Sequence, residues 1–166
     1  NEILMDTEDK KHIIACNRPW CEGMAKKLEK ETGERFYFID DVKNLTSDYL
    51  EKIKPYYIFF PHWSHIIPES IYTKYECVIF HMTDLPYGRG GSPLQNLIVR
   101  GHEDTKISAL RCAGGIDDGP IYFKETLSLL GTAEEIYLRS SKQVEKMICR
   151  LIKEKPVPKK QRGSVS

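Results

Sequence analysis

Residues 56–81, YYIFFPHWSHIIPESIYTKYECVIFH, decide the fold. The stretch contains two continuous apolar runs, at 56–60 and 77–80, and Pro61 is expected to end the first of them. Between the runs, Pro68 suits the first turn of a short helix. Short strands that are apolar on both faces are typical of parallel sheets whose two faces are covered by helices. The stretch therefore predicts a strand–helix–strand unit of an α/β fold.

The alternation of strands and helices continues on both sides of this unit. Apolar runs predict further strands at 12–16, 36–39, 107–112 and 121–127. Helical spacing predicts helices around Leu28, over 45–53, after Pro93 and over 132–153. This order favours an α/β fold with a Rossmann-like, mostly parallel sheet and helices on both faces.

The composition indicates one folded domain. The 166 residues are 40% hydrophobic and 30% charged, which suits a domain that buries its own core. We expect a flexible N-terminal segment at 1–11, the domain at 12–155, and a basic, loose tail at 156–166, for which a solvated end and a truncation are the two alternatives.

The charge and hydropathy patterns bear on the partners. Lys plus Arg number 25 and Asp plus Glu number 24, and this balance disfavours nucleic-acid binding, which usually needs a basic excess. No run approaches the roughly 20 apolar residues of a membrane span. The polar segment at 1–11 does not resemble a signal peptide. We therefore expect neither a nucleic acid nor a membrane as partner.

Cysteine usage suggests the compartment. The five cysteines are Cys16, Cys21, Cys77, Cys112 and Cys149, and no two are spaced as C-x-x-C. They are interpreted as reduced residues of a cytoplasmic protein. A zinc site built from Cys16 and Cys21 with a histidine is the less favoured alternative.

His81 stands where such a fold places its chemistry. Ligands of open α/β sheets bind at the carboxyl ends of the strands, and His81 directly follows a strand. A histidine, whose ordinary pKa is about 6.5, suits general acid or base work there at neutral pH. A structural role at the edge of the core explains the position equally well.

A second candidate lies in the segment GGIDDGP at 114–120. The glycines allow the backbone to approach a ligand closely, and Asp117 could orient a histidine. Turn chemistry explains the same composition, and Asp118 fits it as well. We expect this loop to stand beside the loops at 17–21, 61–64 and 81–92.

The glycines of the 81–92 loop are not a nucleotide fingerprint. No G-x-G-x-x-G follows the first strand, which disfavours a nicotinamide cofactor. Arg89 in this loop is a candidate anion contact, although a solvated surface arginine is the usual explanation.

Two motifs together resemble a known family. Residues 76–98, ECVIFHMTDLPYGRGGSPLQNLI, followed by GGIDDGP, resemble the formyltransferases that use 10-formyltetrahydrofolate. The family loop usually has Asn-x-His-Pro-Ser-Leu-Leu-Pro before Arg-Gly and a helix, and His81 takes the histidine position. Asp117 takes the aspartate position of the second motif. The resemblance covers roughly 11–155, implies the formyltransferase fold for a catalytic domain at 12–155, and is nearest to small sugar N-formyltransferases.

The resemblance implies a mechanism. A substrate amine attacks the formyl carbon, and His81 stands beside the oxyanion and shuttles the proton. Asp117 orients His81 and takes part in proton transfer, directly or through water, and no metal is needed. The family's asparagine, two positions before the histidine, is replaced here by Ile79. Loss of such an oxyanion donor typically costs about 100-fold in rate or more. The groups that could replace it are Thr83, Asn96, His62 and protonated His81, and the sequence does not choose among them.

The resemblance also implies binding residues. The formyl donor, 10-formyltetrahydrofolate, is expected to contact Trp63, Ser64, His65, Ile66, Ala113, Gly114, Gly115 and Ile116. Trp63 fits an ordinary core position as well. The expected acceptor is the amine of a nucleotide-linked amino-deoxy sugar, contacted by Arg18, Trp20, Thr83 and Arg89. A plain turn with a buried tryptophan explains the segment Arg18-Pro19-Trp20 equally well.

Other functions remain compatible with the sequence. The acceptor could be another amine, such as an amino acid, a nucleotide or methionyl-tRNA. Ile79 would also suit a folate- or nucleotide-sugar-binding protein with little turnover, and a formate-releasing hydrolase is a further alternative. The presence of both His81 and Asp117 favours chemistry over binding alone. Small molecules are the expected partners, and a homodimer is left open.

Overall fold

The computed structural model describes residues 10–19, 21–85, 97–114 and 117–162. The strands in these ranges are β1 (Lys11–Cys16), β2 (Arg35–Ile39), β3 (Tyr57–His62), β4 (Glu76–His81), β5 (Asp104–Arg111) and β6 (Ile121–Ser128). The α-helices are α1 (Cys21–Thr32), α2 (Ser47–Ile53), α3 (Glu69–Tyr72) and α4 (Ala133–Glu154), and a 3₁₀ turn covers Val42–Asn44.

The strands form one mixed sheet in the order β2-β1-β3-β4-β5-β6. The pairs among β1, β2, β3 and β4 are parallel, whereas β5 pairs antiparallel with β4 and with β6. The predicted α/β class and mostly parallel sheet are confirmed. The reversal at β5 was not predicted, because apolar runs do not record strand direction.

Helices cover both faces of the sheet, as predicted. On one face, Leu28 of α1 and Leu151 of α4 are buried against strand residues that include Phe59. On the other face, Leu50 of α2 and Ile71 of α3 belong to a second buried cluster. Each such side chain contributes about 1.5–3 kcal/mol through burial. These two layers hold the strand ends in fixed positions.

Pro61 does not end its strand. β3 continues through Pro61 to His62, and its register with β1 shifts between the pairs Ile14–Phe59 and Cys16–His62. One additional residue of β3 is accommodated there, as in a β-bulge, and prolines are tolerated at bulges because a ladder bond is already missing.

The C-terminal segment is not loose where the structure describes it. The amide of Ile121 donates to the carbonyl of Lys159 at 2.7 Å, and the amide of Lys159 donates back at 2.8 Å. These two bonds form an isolated antiparallel bridge beside β6. The predicted loose end is wrong over these residues, because backbone pairing does not depend on the polar side chains that suggested a tail.

Among the residues described, no helix has the length and apolar character needed to span a membrane.

Candidate functional site

His81 and Asp117 come together at the end of β4. The Nδ1 atom of His81 lies 3.4 Å from Oδ2 of Asp117, and the two side chains are only 8% and 15% exposed. Water screens a pair this sheltered less than it screens a surface pair, so the carboxylate interacts more strongly with the imidazole. The sequence singled out both residues, and the structure places them in contact.

The Asp117 loop reaches His81 by an indirect route. Because β5 runs antiparallel to β4, its last residue, Arg111, pairs with Val78, three residues before His81. At about 3.3 Å per residue, the loop therefore leaves the sheet about 10 Å short of the histidine. It must turn back along the sheet for Asp117 to meet His81.

Two glycines allow the close approaches that this return requires. A Cβ on Gly119 would lie 1.8 Å from the carbonyl oxygen of Arg111. Gly114 has φ +100°, and a Cβ there would lie 2.6 Å from the hydroxyl oxygen of Tyr72. Glycine is thus required at Gly119 for space, and the backbone conformation favours it at Gly114.

Asp117 has an unusual backbone conformation that a distant side chain supports. Its φ is +52°, in the left-handed region, where aspartate is tolerated better than most residues. The Nε2 atom of Gln161 donates to the carbonyl oxygens of Asp117 at 2.7 Å and Gly119 at 2.9 Å. Nothing in the sequence points to Gln161, because a single glutamine in a basic segment carries no motif.

The segment that follows His81 is fastened to β5. The Ser108 hydroxyl donates to the carbonyl of Thr83 at 2.8 Å and accepts from the amide of Leu85 at 3.4 Å. The Thr105 hydroxyl donates to the carbonyl of Met82 at 3.2 Å. These bonds fix the chain immediately after the histidine and therefore limit the movement of His81.

Thr83 lies inside the protein. It is 1% exposed, and its hydroxyl oxygen is buried without a hydrogen-bond partner. A substrate contact or an oxyanion-donor role for Thr83 would require this segment to open. The geometry therefore favours a role in shaping the loop.

Ile79 lies two residues before His81, and alternation along β4 puts both side chains on one face. Ile79 is half-buried and packs against the apolar cluster that contains α2 and α3. It therefore presents a hydrocarbon surface where the family usually has an amide.

The loop after β3 contains the residues predicted to bind folate. The Trp63 ring is half-buried against Phe60 and His65, with ring centroids 5.8 and 5.5 Å away. Its Nε1 atom is a buried donor without a hydrogen-bond partner. Ile66 is 91% exposed. A flat heterocycle could cover the apolar side chains of this loop, whereas contact with the buried Nε1 atom would require the loop to open.

The loops after β1 and β3 are joined by Asn17 and Arg18. The Asn17 side-chain oxygen accepts from the amide of Ser64 at 2.8 Å and from its hydroxyl at 3.2 Å. The Arg18 Nε atom donates to Nε2 of His62 at 3.4 Å. Desolvation, and secondarily the charge of Arg18, lowers the pKa of His62, which favours the neutral ring that accepts this bond. The predicted acceptor contact Arg18 thus adjoins the predicted folate loop.

The interpretation of all five cysteines as reduced is wrong. Cys16 and Cys21 form a disulfide that joins the end of β1 to the start of α1, whereas Cys77, Cys112 and Cys149 are free thiols. The same bond contradicts the alternative zinc site at Cys16 and Cys21. The strand–helix connection brings these two residues together, and a separation of five positions gave no motif that would indicate it.

The remaining predicted contacts fall into two groups. Ala113 and Gly114 are exposed, as are Ser64 and His65. The residues Trp20, Arg89, Asn96, Gly115 and Ile116 lie outside the described ranges.

Within those ranges, no group of three or more His, Cys, Asp and Glu side chains is arranged to hold a metal ion.

Comparisons with known proteins find formyltransferases. No family profile matches the chain. The methionyl-tRNA formyltransferase of Rickettsia prowazekii is 35% identical over 86 residues, which are 51% of this chain and 28% of that protein. The chain thus matches about a quarter to a third of the length of its curated relatives.

Solved structures extend the likeness over nearly the whole chain. The structure of a methionyl-tRNA formyltransferase from Clostridium thermocellum is 49% identical, covers 95% of this chain and 70% of its own, and has a TM-score of 0.90. The formyltransferase PseJ from Anoxybacillus kamchatkensis, solved with UDP-4,6-dideoxy-4-formamido-L-AltNAc and tetrahydrofolate, is 19% identical, covers 93% and 84%, and has a TM-score of 0.69. The second likeness concerns the fold alone.

Proposed function

Because the chain belongs to the family of formyltransferases that use 10-formyltetrahydrofolate, we propose that it transfers a formyl group from this folate to a primary amine. The observation that carries the proposal is the contact between His81 and Asp117 at 3.4 Å. Both side chains are mostly buried, and both occupy the positions that the family motifs assign to the catalytic histidine and aspartate.

The geometry gives each residue a separate task. Asp117 occupies the Nδ1 side of the ring, so proton exchange with the substrates takes place at Nε2. His81 accepts a proton there from the attacking amine and returns it to the nitrogen that the formyl group leaves. Asp117 stabilises the imidazolium formed between these two steps. The folate supplies the activated formyl group, and the half-buried Trp63 ring offers an apolar wall for its heterocycle.

Two classes of acceptor fit this proposal. A nucleotide-linked amino sugar is supported by exposed Arg18 next to the folate loop, since a guanidinium binds diphosphates through paired hydrogen bonds. The formal charge of +1 also suits a small anion better than a long polyanion. Methionyl-tRNA is supported by the name of the 49% identical relative.

The test incubates the protein and 10-formyltetrahydrofolate with each acceptor separately. One mixture contains a UDP-linked 4-amino-4,6-dideoxy sugar, the other contains methionyl-tRNA, and mass spectrometry detects one added formyl group. We expect the sugar to be formylated, and we expect Arg18→Ala to raise its KM about 10-fold. If methionyl-tRNA is formylated and the sugar is not, the acceptor is methionyl-tRNA and the sugar proposal is wrong.

Two variants control the assay. His81→Asn removes the proposed proton carrier, whereas His102→Asn changes an exposed histidine outside the predicted site. Transfer should be lost only in the first variant. Release of formate without acceptor labelling would indicate a hydrolase. Tight folate binding without turnover on a panel of amines would indicate the binding protein that Ile79 also suits.

A further inference from the structure

We propose that Gln161 is a positioning residue for Asp117. By fixing the backbone of Asp117, it directs the Asp117 carboxylate towards His81. The inference depends on the proposed function only in treating His81 and Asp117 as the catalytic pair. The contact between Gln161 and Asp117 joins residues 44 positions apart in the sequence.

The Asp117 backbone needs external support. It adopts φ +52°, which is unfavourable for a residue with a Cβ, and it lies in a loop that turns back over the sheet. Without support, the loop would have several arrangements of similar free energy. The distance between Oδ2 of Asp117 and Nδ1 of His81 would then vary.

Gln161 supplies this support with a single amide group. A glutamine side chain has two N–H donors, and here the same nitrogen contacts two carbonyl oxygens, those of Asp117 and Gly119. The two bonds fix the relative positions of these carbonyls. Gly119 is itself held against Arg111, whose amide donates to the carbonyl of Pro120 at 2.9 Å.

Gln161 is itself well anchored. Two residues earlier, the backbone of Lys159 exchanges hydrogen bonds of 2.7 and 2.8 Å with Ile121, just beyond the loop. The same short segment therefore fixes both the end of the loop and its middle. The position of Asp117 is therefore fixed by this segment as well as by the end of β5.

The first experiment compares Gln161→Met with Lys160→Met in the full chain. Methionine keeps the length of glutamine but lacks both donors, and Lys160 is an exposed neighbour. We expect Gln161→Met to lower kcat about 10-fold with little change in the KM for the folate, because misplacement of a catalytic group affects mainly the chemical step. Lys160→Met should leave both constants unchanged. An unchanged kcat in Gln161→Met would overturn the inference.

The second experiment separates positioning from general stabilisation. If Gln161 acts through Asp117, Gln161→Met should not lower the rate further in an Asp117→Asn background. A general loss of stability would lower both rates by the same factor, and that result would contradict the proposal. Single-turnover measurements would give the slow rates of this background.

A third measurement does not depend on activity. Hydrogen exchange in peptides covering 117–122 should become faster in Gln161→Met and remain unchanged in Lys160→Met. If the wild-type protein formylates no acceptor, the proposed function fails, and this exchange still decides whether Gln161 orders the loop. Equal exchange in the wild type and Gln161→Met would overturn the positioning role whatever the reaction is.

Discussion

The Nε2 atom of His12 lies 2.5 Å from Oε1 of Glu34, at the end of β1 opposite to the proposed site. The imidazole is fully buried, and aromatic rings that include Phe36 and Tyr57 surround it. Its Nδ1 atom is buried without a hydrogen-bond partner. A proton on Nδ1 would be an unsatisfied buried donor, so the neutral ring, donating from Nε2, fits this environment.

This pair predicts a pH-dependent stability. Burial lowers the pKa of His12, and it outweighs the opposing effect of Glu34. The unfolded chain therefore binds a proton at a higher pH than the folded chain does. Stability is complete above the unfolded pKa of about 6.5 and falls as the pH decreases below it, by at most about 1.4 kcal/mol per pH unit.

Urea unfolding between pH 7.5 and 5 would measure this effect. In His12→Gln, whose amide can donate to Glu34 but does not titrate, the decline should be smaller than in the wild type. His102→Gln, at an exposed position, should retain the wild-type slope. Equal slopes in the wild type and His12→Gln would show that His12 is not responsible.

The contact between His81 and Asp117 predicts non-additive kinetics. His81→Asn and Asp117→Asn should each reduce kcat about 100-fold or more, because proton transfer needs both groups. Since they act as a unit, the double variant should be little slower than either single variant. Calorimetry should show folate affinity within several-fold of the wild type. If the loss of kcat in the double variant equals the product of the two single losses, the residues act independently.

The disulfide predicts a thiol count and a loss of stability on reduction. The oxidised protein, once denatured, should present three titratable thiols, from Cys77, Cys112 and Cys149, and the reduced protein five. For a loop this short, the bond contributes about 2 kcal/mol by restricting the unfolded chain. The variant Cys16→Ala with Cys21→Ala should lose about this amount in urea unfolding and should not respond to dithiothreitol. Five thiols in the oxidised chain would contradict the pairing.

Two glycines should respond in opposite ways to alanine. Gly119→Ala places a Cβ against the Arg111 carbonyl and should cost about 1–3 kcal/mol, with slower formyl transfer because Asp117 must move. Gly23, in α1, has no heavy atom within 4 Å of its would-be Cβ. Gly23→Ala should therefore stabilise the protein by about 0.5 kcal/mol. Thermal unfolding of both variants would compare them, and a harmless Gly119→Ala would refute the close approach.

The sequence predicts most of the framework because apolar runs determine it. The buried strands around Phe59 and Val78 and the long helix after Thr132 all lie close to the predicted positions. Pro61 was misplaced because its effect depends on a register shift with β1, which only the folded sheet shows.

The site was less accessible to sequence reasoning. His81 and Asp117 belong to motifs, but the contact of Gln161 with Asp117 depends on a backbone bridge between residues far apart in the sequence. The sequence does not predict the direction of the strands either. No local pattern indicates that β5 runs against β4, and this reversal forces the Asp117 loop to fold back.

The position of Gln161 after every strand of the described sheet has a consequence for protein synthesis. A ribosome makes every strand of the described sheet, together with His81 and Asp117, well before it reaches residue 161. Synthesis proceeds from the N-terminal end at about 5–20 residues per second. The nascent chain can therefore build its sheet while the Asp117 loop still lacks its last anchor. During translation, the strands of the described sheet are therefore available before the contact that positions Asp117.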